Sequence, residues 1–363
     1  MKILILANND YGLYKFRKEL IAELIRNGFE VFISLPNGIK INDLTEMGCK
    51  FIPVSIDIRG KNVLSDLLLL FKYIRIMHTL KPDIVLTYTV KPNVYGGLIC
   101  RFMNIPFLSN ITGLGSAFQE DNILKSLLIL LYRRSISYSN HVYIQNSDIV
   151  SRLIEMNIDI RNYSIIPGSG VNLEEFKKSN FPHDEKIRFA FIGRIMEIKG
   201  IEEYLKLSKM VKQKYENVEF HVFGSFDEDK FKNIIQKMDE EGLIFYHGFK
   251  DDIKIHMKII SAVIMPSHSE GMSNVLLEAA AMGRVTIASD IPGCKEIIDD
   301  GVTGYKFKLG DVNDLYDKVV NFIELPFEDK KEMGKAARLK VEKEFDREIV
   351  IDAYMREIKK FEV

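Results

Sequence analysis

The sequence predicts an α/β protein built from two doubly wound, Rossmann-like domains. Three observations carry that expectation. Short apolar runs alternate with helix-patterned segments, the β–α–β signature of a parallel sheet. The alternation pauses at Pro167-Gly168-Ser169-Gly170-Val171-Asn172, which reads as a hinge, and restarts at Arg188. The chain has 363 residues, more than one core usually serves, and its 47% hydrophobic content suffices for two. The expected boundaries are 1–170, 171–345 and a closing segment, 346–363.

In the first half, Ile3–Ala7 and Phe29–Leu35 read as strands flanking a helix from about Lys15 to Asn27, which Gly28 stops. The intervening loop, Asn8-Asn9-Asp10-Tyr11-Gly12, offers only Gly12 where a dinucleotide fingerprint wants three spaced glycines, so it is not an NAD site. Lys50–Ser55, Asp83–Thr87, Pro106–Asn110 and His141–Gln145 read as further strands. Lys61–Leu80, Asn93–Met103 and Asn122–Ser139 read as helices, and another starts at Ser147, its expected cap. In the second half, strands at Arg188–Gly193, Val218–Gly224, Ile244–His247, Ala262–Met265, Val285–Ser289 and Gly304–Phe307 alternate with helices. The last helix, Arg347–Phe361, is amphipathic.

Composition excludes several classes. A net charge of −1 gives no bulk attraction to nucleic acid, so no nucleic-acid partner is expected. The halves differ, however: residues 1–170 carry 19 Lys and Arg against 14 Asp and Glu, and the remainder carries 31 against 37. A basic first half suits an anionic membrane surface or a phosphorylated acceptor. Cys49, Cys100 and Cys294 have neither metal nor paired spacing, which fits a reducing cytoplasm. Met1–Ala7 runs straight into a strand, unlike a signal peptide, and no apolar run approaches the roughly 20 residues that span a bilayer. The expected localisation is cytoplasmic, with peripheral contact at the inner face of the cell membrane.

Two stretches carry chemistry. After the strand Ala262–Met265 comes a turn and then a helix, Asn274–Met282, with Ser273 as N-cap and Gly283 as C-terminal stop. The backbone N–H groups at this helix start, at Gly271, Met272, Ser273 and Asn274, and the helix dipole are expected to favour an anion such as a diphosphate. Glu270 lies just before that helix and Glu278 inside it; a carboxylate accepts from both hydroxyls of a vicinal diol. One turn can thus hold a nucleotide sugar, with Glu278 on the ribose and Glu270 on the sugar. Upstream, Gly193-Arg194-Ile195-Met196-Glu197-Ile198-Lys199-Gly200 joins a strand to a helix, and its two cations can converge on one diphosphate. As a sugar–phosphate bond breaks, fixed cations stabilise the growing charge of the leaving group. That role can replace a metal, so no cofactor is expected. Asp227 and Asp229 form an Asp-x-Asp but open a helix, where acids suit the dipole.

Together, Gly193–Gly200 and the Glu-x7-Glu of Glu270 and Glu278 resemble the donor site of the retaining, family-4 glycosyltransferases of GT-B fold. The resemblance covers the donor site of the second domain and implies two Rossmann-like domains facing a cleft. It makes the first domain acceptor-binding and the second nucleotide-sugar-binding, and has the last helix cross back to the first. It implies metal-independent transfer from a nucleotide-diphosphate donor, UDP-sugar by family frequency and including UDP-N-acetylhexosamine, to a glycan or lipid-linked glycan. Arg194, Lys199 and Glu270 take the catalytic roles by this resemblance, and Glu278 binds ribose. Lys250, in the turn Gly248-Phe249-Lys250-Asp251, resembles the base-binding turn, and by the resemblance the loop with Gly12 faces the acceptor and the donor phosphates. The family often places a histidine after the strand Pro106–Asn110; here Asn110 or Thr112 takes that place as a sugar contact. His268 is a further, weaker candidate. A GT-B sugar-nucleotide 2-epimerase shares the donor site but uses no acceptor, and is the alternative. Two apolar helices with cationic rims, Lys61–Leu80 (Lys72, Arg75) and Asn122–Ser139 (Lys125, Arg133, Arg134), read as buried helices or as a membrane-facing patch.

Overall fold

A computed structural model describes residues 1–57, 63–113, 123–183 and 185–362. The chain divides into two compact units: unit 1 is Met1–Ser169 with Ile349–Val363, and unit 2 is Gly170–Glu348. Each is a parallel sheet with helices on both faces.

Unit 1 holds β1 (Lys2–Leu6), β2 (Glu30–Leu35), β3 (Lys50–Pro53), β4 (Ile84–Tyr88), β5 (Phe107–Ile111), β6 (His141–Ile144) and β7 (Tyr163–Ile165). Their order is β3-β2-β1-β4-β5-β6-β7, and every pairing is parallel. The chain starts centrally: Ile3 lies between Val31 and Ile84. Strands covered on both faces read as continuous apolar runs, and all five residues of β4 and of β5 are buried. The helices are α1 (Asp10–Arg26), α2 (Ile41–Glu46), α3 (Val63–Leu80), α4 (Gly97–Met103), α5 (Ile123–Ile136) and α6 (Ser147–Glu155). A π turn, Pro92–Gly96, precedes α4.

Two helix starts differ from the sequence expectation, for one physical reason. The Asn9 side chain accepts from the N–H of Gly12 at 2.6 Å, so α1 begins at Asp10, not near Lys15, and Gly12 belongs to its first turn rather than to a loop. The Asn146 side chain likewise accepts from Ile149 N at 3.0 Å, so Asn146, not Ser147, caps α6. The expected starts at Lys61 and Asn122, and the turn residues Leu114 and Gly115, lie outside the described residues.

Unit 2 holds β8 (Ile187–Ile192), β9 (Val218–Phe223), β10 (Phe245–Tyr246), β11 (Ala262–Met265), β12 (Val285–Ser289) and β13 (Gly304–Phe307). Their order is β10-β9-β8-β11-β12-β13, again wholly parallel. The helices are α7 (Ile201–Lys212), α8 (Lys232–Glu240), α9 (Lys254–Met257), α10 (Asn274–Ala281), α11 (Val312–Glu324) and α12 (Phe327–Glu344), with α13 (Arg347–Ile358) closing the chain. The direction of winding reverses between β8 and β11, the place where α/β sheets open a crevice at their carboxyl edge.

The chain leaves and re-enters unit 2 along paired backbone. Val171 N donates to Phe345 O at 2.9 Å, and Arg347 N donates to Val171 O at 3.1 Å. Past that point α13 packs on unit 1. Val350, Ile351, Tyr354, Met355 and Ile358 join the core formed by Ile3, Ile5, Leu86 and Tyr88. The Tyr354 ring stacks on Tyr143 at 4.1 Å, and Tyr143 donates to Ala353 O at 3.0 Å.

Candidate active site

The two stretches singled out in the sequence meet in unit 2 at the reversal between β8 and β11. The loop after β8, 193–200, and the loop after β11, 266–273, are pressed together by one glycine. Gly200 has φ +74°, and a Cβ there would collide with the carbonyl oxygen of Pro266. Around that contact, His268 N donates to Ile198 O at 2.9 Å and Ser267 Oγ to the same carbonyl at 3.2 Å. The side chains follow the backbone: Lys199 Nζ lies 2.6 Å from Glu270 Oε1, a partly buried ion pair that joins the two predicted stretches.

The loop after β12 supports this turn from behind. Gly293, at φ +85°, sits so close to Gly271 that a Cβ would lie 2.6 Å from its carbonyl oxygen. Its own carbonyl accepts from Ser273 N at 2.8 Å. Ser273 caps α10 by accepting from Leu276 N at 3.5 Å. Met272 is buried, Gly271 and Asn274 are half-buried, and Glu278 is 4% exposed one turn into α10. Gly293 was not among the sequence candidates; its signal is the turn after β12, but its partner is set only by the fold. Cys294 is buried beside the pair, and burial with Glu270 holds its thiol well above the ordinary value, so it stays neutral.

Arg194 Nη1 lies 3.3 Å from Asp227 Oδ2. The other half of the Asp-x-Asp, Asp229, pairs with Lys232 at 2.8 Å. The two acids are thus turned to separate cations rather than toward one point. His268 Nε2 is engaged 2.8 Å from Glu203 on α7. Lys250 is exposed in the turn after β10. Gly12, Asn110 and Thr112 belong to unit 1: Asn110 Nδ2 donates to the Tyr354 hydroxyl at 2.7 Å, and Thr112 is half-buried just beyond β5. Of the membrane candidates, Arg133 Nη2 donates to Met156 O at 2.9 Å, Arg134 is exposed, and the Lys125 side chain lies outside the described residues.

The edge of this sheet also carries a histidine ladder that the sequence did not reveal. His221 Nδ1 and His247 Nε2 are 2.9 Å apart, and Phe223 stacks on His247 at 4.4 Å. Burial, with His247 adding to it, pushes His221 down to about 4; burial also lowers His247.

Two Rossmann-like sheets, the second with a cation–carboxylate pair at its winding reversal, fit the class of GT-B glycosyltransferases. Comparison with known proteins agrees. The model described as "Glycosyl transferase 4-like" matches residues 2–146, and "Glycosyl transferases group 1" matches 172–340. The chain belongs to the family-4 GT-B glycosyltransferases. A Campylobacter jejuni relative named N,N'-diacetylbacillosaminyl-diphospho-undecaprenol alpha-1,3-N-acetylgalactosaminyltransferase is 25% identical over 89% of this chain and 90% of its own. The capsular polysaccharide biosynthesis glycosyltransferase CapM of Staphylococcus aureus is 24% identical over 90% and 89%. Among solved structures, Anabaena HepE in complex with UDP and glucose superposes with a TM-score of 0.81 at 19% identity, over 99% of both chains.

The ladder generates a pH prediction. His221 has an ordinary value near 6.5 and a lowered one of about 4 in the fold. The fold therefore favours neutral His221; its contribution is complete above pH 6.5 and is lost as pH falls toward 4. Urea midpoints measured from pH 7.5 to 4.5 should fall in that window, and His221→Leu should flatten the slope. An equal slope in both proteins would remove the ladder as its cause.

Proposed function

We propose that the protein moves a sugar from a UDP-sugar donor, UDP-N-acetylhexosamine among the candidates, to a lipid-linked glycan with retention at the anomeric carbon. The observation that carries this reading is the Lys199–Glu270 pair, 2.6 Å apart at the N-terminal side of α10. The diphosphate would lie against Lys199, Arg194 and the start of α10, with Glu270 on the sugar and buried Glu278 on the ribose; the N–H of Ser273, expected to face the anion, is instead held by the Gly293 carbonyl. Lys250 would approach the base. The acceptor would belong to unit 1, where Gly12, Asn110 and Thr112 lie near strand ends; His268, held by Glu203, would take at most an outer sugar contact. The relative's name supports the acceptor class, since its substrate sugar is carried on diphospho-undecaprenol.

In this mechanism negative charge grows on the departing diphosphate. Fixed cations and oriented N–H groups stabilise it more in the transition state than in the ground state, without reorganising. Lys199 would stand between the acid that orients the sugar and the phosphate that leaves, coupling the two. A front-face displacement, in which the donor phosphate helps take the acceptor proton, fits the residues assigned.

The outer face of α3 supports contact with a membrane. Leu64, Leu68 and Phe71 are 71%, 62% and 68% exposed, while Leu69, Tyr73 and Met77 fill the core on the opposite side. The helix is apolar on both faces, and its outer one is rimmed by exposed Lys72 and Arg75. Among the described residues no helix is long and apolar enough to cross a membrane. The proposed contact is peripheral, at the inner face of the cell membrane, with a cytoplasmic protein body.

Three measurements test these readings. Glu278→Ala should weaken UDP binding by about 1.5–3 kcal/mol in calorimetry, the cost of a lost charged hydrogen-bonding pair, while Glu270→Ala should spare UDP and depress turnover. Equal losses of UDP affinity in the two variants would show the roles to be misassigned. Activity should survive a strong chelator; complete loss that manganese restores would return Asp227 and Asp229 to consideration as ligands. Phe71→Glu should reduce co-sedimentation with anionic liposomes, each nearby cation adding about 1 kcal/mol that salt screens. Pelleting that ignores both the substitution and salt would exclude docking through α3.

A further inference from the structure

Arg17 is the anomaly of unit 1. It sits on the inward stripe of α1 with Leu13, Leu20, Ile21 and Leu24, and is only 5% exposed. Among the described residues no carboxylate pairs with it. Among the described residues, Arg17 Nη1 donates to Phe16 O at 2.8 Å, the guanidinium also touches the Tyr354 hydroxyl, and its Nε has no partner. The guanidinium instead lies over the rings of Tyr88, at 5.1 Å, and Tyr354, at 6.0 Å. Neither ring carries a counter-charge: burial raises both hydroxyls above their ordinary values, so they remain neutral.

A buried cation without an anion is among the more destabilising arrangements a fold can keep, and replacing it by an apolar side chain is often neutral or favourable. Its surroundings point to where the missing charge belongs. Tyr88 ends β4, and the next residue, Thr89, is a β-branched residue at φ +72°, a strained conformation. Thr89 Oγ1 and Asn110 Oδ1 are both buried without a hydrogen-bond partner. Asn110 reaches this group through its 2.7 Å bond to Tyr354. A donor fork, a free hydroxyl and a free carbonyl thus gather at the carboxyl ends of β4 and β5. The fork and the hydroxyl suit an oxyanion, and the carbonyl suits a sugar hydroxyl. Because only neutral groups, the Phe16 carbonyl and the Tyr88 and Tyr354 side chains, hold the guanidinium, its swing toward the strand ends breaks no ion pair.

We propose that Arg17 supplies the counter-charge for a phosphate or diphosphate group on the substrate that unit 1 receives, bound with Thr89 and Asn110. This rests on the reading of unit 1 as the acceptor half.

The test uses the full chain held at saturating UDP, so that the donor site is filled. Thermal stability is followed against inorganic pyrophosphate and, separately, against farnesyl diphosphate in detergent. Wild type should be stabilised, and Arg17→Met should weaken the apparent affinity about tenfold or more, as expected for a lost charged contact. Without added anion, Arg17→Met should be at least as stable as wild type, so that a lost response to the anion is not a loss of fold. A response to both probes assigns the site to the phosphate itself, and a response to farnesyl diphosphate alone assigns it to a lipid-borne head group; either supports the proposal if it depends on Arg17. Should Arg17→Met fail to fold, Arg17→Lys keeps the charge but loses the fork and should still weaken binding severalfold. No response to either probe, or responses that the Arg17 variants leave unchanged, would overturn the proposal. The UDP-induced shift, recorded on the same samples, separates this failure from failure of the donor reading.

Discussion

The geometry of unit 2 depends on the absence of one side chain. Gly200 lets the loop after β8 lie directly on Pro266, at a φ of +74° that favours glycine. With that contact made, the carbonyl of Ile198 takes the N–H of His268, and Lys199 faces Glu270 at 2.6 Å. Any Cβ would wedge the loops apart at the position where the winding of the sheet reverses. The pair is therefore a consequence of backbone packing as much as of charge, since a partly exposed ion pair alone contributes little to stability. Gly293 repeats the arrangement from the other side, bracing Gly271 and holding Ser273 N as α10 begins.

Much of the fold was legible because buried parallel strands leave a plain trace. Runs such as Ile84–Tyr88 and Ala262–Met265 are continuously apolar, and the glycines and caps between them mark turns. The helix starts were less legible. Asn9 and Asn146 win the caps by side-chain bonds to N–H groups three residues on, while Lys15 and Ser147 are better marked by local pattern. Of the site, Lys199 and Glu270 were readable as two motifs, and their contact follows from strand order. The brace from Gly293 and the His221–His247 contact were not readable, because each joins loops whose meeting depends on the whole sheet. Arg17 had a signal: a charge on the stripe Leu13, Leu20, Ile21, Leu24, where periodicity wants an apolar residue.

The two units share the strand order that places β1 beside β4 and β8 beside β11, yet they treat cations oppositely. In unit 2 the cations near the reversal arrive already paired, Lys199 with Glu270 and Arg194 with Asp227. Such cations cost little to keep, and an incoming anion must share them with a resident carboxylate. In unit 1 Arg17 has neutral partners among the described residues, the Phe16 carbonyl and the rings of Tyr88 and Tyr354. Its attraction for an anion is undivided, but the free protein carries the full desolvation cost of the charge.

That difference has a consequence for order of binding on the proposed mechanism. A site whose cation is pre-neutralised gains less from binding an anion, but it is stable when empty and can wait for its ligand. A site with a bare buried charge gains more, and its unit becomes more stable once the anion is bound. If the diphosphate of the donor competes for Lys199, Glu270 is freed to accept hydroxyls of the sugar, so donor binding itself converts a structural ion pair into a catalytic arrangement. The acceptor would meet no such switch in unit 1: on the proposed reading no resident carboxylate has to be displaced from Arg17, and selectivity would come from Thr89 and Asn110, whose side-chain oxygens have no partner among the described residues.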